Sequence, residues 1–64
     1  MGNIKMVLRY AYIYPNNPTV KYNLYDCNTE WIVIEEKMDG RNRRINAGMP
    51  FKKLPTMEDV RQFI

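Results

Sequence analysis

A chain of 64 residues buries only about 60% of the surface its unfolded form exposes, which leaves room for one thin core, one domain spanning residues 1–64, and clefts that are shallow or shared with another copy. Hydrophobic residues at 45% and charged residues at 27% are ordinary for a folded domain, while the lack of any histidine or serine excludes Ser-His-Asp and Cys-His nucleophilic machinery and, with Cys27 the only cysteine, an internal disulfide or a structural zinc site within one chain. The net charge of +3 is unevenly spread: no acid falls between Gly40 and Met57, where Arg41, Arg43, Arg44, Lys52 and Lys53 lie, and Glu30, Glu35, Glu36 and Asp39 cluster just before that stretch.

From Ile4 to Tyr14 the residues alternate, with Ile4, Met6, Leu8, Tyr10, Tyr12 and Tyr14 on one side and Val7, Arg9, Ala11 and Ile13 on the other, so the segment reads as a strand. Pro15-Asn16-Asn17-Pro18-Thr19 breaks it, and Val20 to Tyr25 resumes the alternation. A hairpin that sets Tyr14 opposite Val20 also sets Tyr12 against Tyr22, Tyr10 against Leu24 and Arg9 against Tyr25.

Asp39-Gly40 predicts a second hairpin through a two-residue type I′ turn. With Met38 opposite Arg41, Ile34 pairs with Ile45, Ile32 with Ala47 and Trp31 with Gly48, while Glu36 meets Arg43 and Glu35 meets Arg44. That register sends Ile32 and Ile34 inward and leaves Trp31 and Val33 on the outer face; the rival reading of residues 29–37 as a helix loses to the strand propensity of Trp-Ile-Val-Ile.

After Met49-Pro50 an irregular link leads to a helix with Pro55 at its entry, Thr56 as N-cap and Glu58 and Asp59 in its first turn. Met57, Val60, Phe63 and Ile64 share one face of this helix, which is expected to cover Ile4, Leu8, Ile32, Ile34 and Phe51. The expected fold is therefore α+β: a small antiparallel sheet of two β-hairpins, ββββ, with a short C-terminal helix packed on one face.

Chemistry is sparse. Cys27 sits between Asp26 and Asn28, and a neighbouring carboxylate raises a thiol pKa, so a passive thiol is expected. Glu35 and Glu36 are consecutive on a strand and point to opposite faces, so they cannot share a substrate. A hard-metal site from Asp26, Glu30 and Asp39 matches no known loop spacing. No catalytic residue, metal or cofactor is assigned, and the chain reads as no enzyme.

Two binding readings remain. The first is a regulator or inhibitor acting by stoichiometric binding to a partner protein, as a homodimer, through an outward sheet face built from Ile13, Tyr25, Trp31 and Val33. The alternative binds nucleic acid or a nucleotide, with Lys5, Arg9, Lys21, Lys37, Arg41, Lys52 and Lys53 meeting phosphates and Tyr25 or Trp31 stacking on a base. A short, serine-free chain rich in asparagine and tyrosine resembles in composition the accessory proteins of phages and mobile elements of AT-rich bacteria. No stretch approaches the roughly 20 apolar residues of a membrane-spanning helix, no export or lipid-anchor signal is visible at the N-terminus, and a lone cysteine suits a reducing cytoplasm.

Overall fold

The computed structural model describes residues 5–64. Ile4, placed above at the start of the first strand and under the helix, lies outside the described residues. Four strands follow in chain order, β1 Val7–Tyr12, β2 Val20–Asp26, β3 Trp31–Lys37 and β4 Asn42–Ile45, and then one helix, α1 Met57–Arg61. The strands form one antiparallel sheet in the order β1-β2-β3-β4, so the expected α+β fold with a ββββ sheet and a short helix is the observed one.

The first hairpin keeps Tyr12 opposite Tyr22 and Tyr10 opposite Leu24. Below Tyr10 the register shifts, because Arg9 is the extra residue of a β-bulge and Leu8, not Arg9, lies opposite Tyr25. β2 and β3 also form a hairpin, with Asp26 opposite Trp31 across the loop Cys27–Glu30. Asn28 supplies the positive φ of 73° that this loop needs, and the Asp26 side chain accepts from the Asn28 amide at 2.9 Å.

The β3–β4 hairpin differs from the sequence reading by one residue. Its loop is Met38–Gly40, three residues rather than two: the Gly40 amide donates to the Lys37 carbonyl, the Lys37 amide donates to the Arg41 carbonyl, and Gly40 takes φ 91°. Asp-Gly suits this longer loop, whose last residue is left-handed, as well as it suits the two-residue turn. Val33 therefore faces Ile45 and Glu35 faces Arg43, where Ile34 had been paired with Ile45 and Glu35 with Arg44. A one-residue slip exchanges the two faces of a strand. Trp31 likewise pairs with Phe51 and not with Gly48, because the chain leaves the ladder after Ile45, through Asn46 at φ 57° and a turn closed from the Met49 amide to the Asn46 carbonyl.

The core consists of Val20, Tyr22, Leu24, Val33 and Ile45 from the sheet and Tyr14 just past β1, closed by Val60 of α1. Thr56 caps α1 as expected, in a reciprocal box with Asp59: the Thr56 hydroxyl accepts from the Asp59 amide at 3.1 Å and the Asp59 carboxylate from the Thr56 amide at 3.0 Å. The helix is shorter than anticipated and buries only Val60; Met57, Phe63 and Ile64 stay exposed. It covers the Tyr22–Leu24–Val33 side, so of the residues assigned to lie beneath it, Leu8 remains exposed and Ile32 and Ile34 belong to the opposite face.

Candidate functional site

The slip decides which side chains the sheet offers to a partner. Direct cross-strand partners share a face, so Leu8, Tyr25 and Ile32 stand together, as do Ala11, Asn23, Ile34 and Arg44. Ile13 continues this face beside Lys21 and Glu36. Both segments that could have covered it go to the other side: Pro55 at the end of the link accepts from the Tyr12 hydroxyl at 2.6 Å, and Met57 of α1 accepts from the Tyr14 hydroxyl at 2.5 Å. Among the described residues no strand or helix is stacked on the face of Leu8, Ala11, Ile13, Tyr25, Ile32 and Ile34.

Of the four residues expected at a partner-binding surface, Ile13 and Tyr25 are on this open face, with Ile13 50% exposed. Val33 and Trp31 are not. Val33 is 1% exposed at the centre of the core, and Trp31 packs against that core on the covered side. On the open face their neighbours are Ile32, itself buried at 8% exposure, and half-buried Ile34, while exposed Leu8 and Ala11 extend the apolar strip along edge strand β1. Placing Val33 beside Leu24, its partner on β2, would have revealed the exchange from the sequence.

The polar groups of the open face are largely occupied within the molecule. Asn23, 6% exposed, donates to Glu36 at 2.8 Å, and Arg44 lies 4.0 Å from Glu30. On the covered face the Tyr22 hydroxyl donates to buried Glu35 at 3.0 Å, and Arg43 approaches the other carboxylate oxygen at 3.4 Å. Burial and the hydrogen bond to Glu35 push the Tyr22 hydroxyl up to about 12. Tyr12, Tyr14 and Tyr22 thus spend their hydroxyls on the fold, whereas Tyr10 and Tyr25 donate to nothing among the described residues.

The cations divide in the same way. Each of the five arginines lies within 4.0 Å of a carboxylate, and none of the five lysines forms an ion pair among the described residues. Arg9, on its bulge, is 3.7 Å from Asp26, and Arg41 is 2.7 Å from Asp39. The seven cations expected to meet phosphates do not form one track. Lys21 and Lys37 line a groove near the Met38–Gly40 loop, and Arg41 directly follows that loop. Lys5 and Arg9 flank the Cys27–Glu30 loop, and Lys52 and Lys53 follow Phe51 at that same end. Five residue steps along β2 lead from Lys21 to Asp26, roughly 17 Å at about 3.3 Å each.

A shallow cleft of about 850 Å³ lies between Lys5, Arg9, Asp26, Cys27, Ile32 and Arg44. Its thiol is buried, and burial, followed by the charges of Glu30 and Asp26, pushes the Cys27 pKa up, the reverse of what a nucleophile needs. Glu30 and Asp26 border this cleft while Asp39 lies beyond the far end of β3, so the three carboxylates do not converge, and no metal-binding cluster occurs among the described residues. No helix among the described residues is long and apolar enough to cross a membrane.

No family model matches the chain, and neither the curated proteins nor the solved structures contain a match.

Proposed function

We propose that the protein is a non-catalytic regulator or inhibitor, of the kind phages and mobile elements carry, which works in a reducing cytoplasm by stoichiometric binding of a partner protein across its open sheet face. In isolation the same face pairs with a second copy to give a homodimer. The observation that carries this reading is the exposure of Leu8 at 52% and Ile13 at 50%, with Ala11 between them and half-buried Tyr25 and Ile34 behind, on a sheet side that no other described element covers. A sheet with two apolar faces needs a layer on each, and the one helix is already used on the other. Of the charges on that face, Glu36 is held by Asn23 and Arg44 by Glu30, and Lys21 stands at its Ile13 end.

The test replaces Leu8 and Ile13 together by aspartate. Both side chains are half exposed, so the fold tolerates the change, and an interface built on them does not. Light scattering is expected to report a dimer for the parent chain and a monomer for Leu8→Asp/Ile13→Asp, with far-ultraviolet circular dichroism unchanged. Equal masses for the two proteins would remove the open face as the site.

A further inference from the structure

The covered side of the sheet also has a surface that its own packing does not exhaust. Trp31 and Phe51 exchange backbone hydrogen bonds at 2.7 and 3.2 Å, so their side chains leave the ladder on one face. The Tyr10 ring lies 6.3 Å from that of Trp31 and the Phe63 ring 5.5 Å from that of Phe51. Two ring pairs, joined through the Trp31–Phe51 backbone bridge, therefore form an aromatic arc from edge strand β1 to the turn after α1. Its ends are open, with Tyr10 52% and Phe63 40% exposed.

Lys52 and Lys53 follow Phe51 directly, are exposed, and form no ion pair among the described residues. They lie inside the acid-free stretch between Gly40 and Met57. The carboxylates of α1 do not cancel them: Glu58 faces Arg61 at 3.9 Å, and Asp59 is held in the cap of Thr56.

We propose that this aromatic arc, with Lys52 and Lys53 at its side, is a second binding site, separate from the open face, and that its ligand is a single-stranded nucleic acid. Rings stack on any base and lysines attract any phosphate. A single strand presents bases and phosphates together, a duplex hides its base faces, and an apolar peptide leaves two lysines unused. DNA and RNA share this chemistry, since stacking and phosphate contact do not read the sugar.

Trp31 is the only tryptophan, so its fluorescence reports stacking at the site. The full chain is titrated with a dodecamer of deoxythymidine and, separately, of uridine. Quenching by either is expected, and the tighter of the two identifies the sugar. Two phosphate contacts on a single strand predict an affinity loss of about sevenfold between about 50 and 200 mM salt. Lys52→Ala/Lys53→Ala, two exposed changes that leave the core intact, is expected to weaken binding about tenfold at the lower salt and to flatten that dependence. Tyr10→Leu, which keeps apolar contact with Trp31 but removes a ring, is expected to weaken it at least fivefold. Leu8→Asp/Ile13→Asp is expected to bind like the parent, so the two sites fail or stand separately. Absence of quenching by both oligomers, or quenching that ignores salt and the lysine variant, would overturn the proposal.

Discussion

At the scale of single residues, the group whose state the fold controls most is Tyr22. Its hydroxyl is buried, donates to Glu35, and has its pKa raised from 10.0 to about 12. The fold thus favours the neutral phenol. This contribution is fully present below the unfolded pKa near 10 and is lost as pH rises through about 12. Tyr12 and Tyr14, also raised chiefly by burial, act in the same direction. Thermal unfolding followed by circular dichroism is expected to give a midpoint that falls steeply between pH 10 and 12; a midpoint level across that window would contradict the buried hydroxyl. Tyr22→Phe removes a donor from the buried Glu35 carboxylate and is expected to cost about 1–3 kcal/mol in urea unfolding. Cys27, buried and with its thiol pKa raised, is expected to react with maleimide slowly in the native protein at neutral pH and quickly in denaturant. Asp26 gave the direction of that shift from the chain itself, while burial and then Glu30, the larger causes, come from the fold.

At the scale of elements, the β3–β4 loop carries the most consequence. Gly40 has φ 91° and open space where a Cβ would stand, so Gly40→Ala costs conformational strain alone, about 1–2 kcal/mol, with no clash to relieve. A lowered urea midpoint with an unchanged slope checks this. Thr56→Ala removes one half of the capping box and is expected to cost about 1 kcal/mol by the same measurement. The existence and order of all five elements were legible in the sequence: alternation marked the strands, Pro and Asn the first turn, Asp-Gly the third, and Thr56 with Asp59 the helix start. Register was not. Asp-Gly serves two loop lengths that differ by one residue, and local charge matches favoured the wrong one, since Glu35 and Glu36 each find an arginine with the two-residue turn, whereas in the observed register Glu35 meets Arg43 and Glu36 meets Asn42. Only the third neighbour, β2, breaks the tie, by setting Val33 beside Leu24. The bulge at Arg9 was equally invisible, because alternation in β1 runs unbroken through it. Half of the candidate surface, Ile13 and Tyr25, rested on the first hairpin and kept its place; the half that rested on the second hairpin moved to the next residue along.

At the scale of the molecule, a thin domain with one helix can cover one side of its sheet, and the other side stays apolar through Leu8, Ala11, Ile13 and Ile34. The two sheet edges are not alike. β4 is four residues long and carries Arg43 and Arg44, which discourage another strand from joining it, while β1 has six residues with one cation, Arg9, offset by Asp26. The second copy proposed above is therefore expected against the open face, not along β4. Light scattering of the parent chain beside Leu8→Asp/Ile13→Asp tests that arrangement most directly. The expected result is a mass about twice 7.7 kDa for the parent and a mass near 7.7 kDa for the variant. A parent chain that stays near 7.7 kDa at every concentration, or a variant that still pairs, would contradict it.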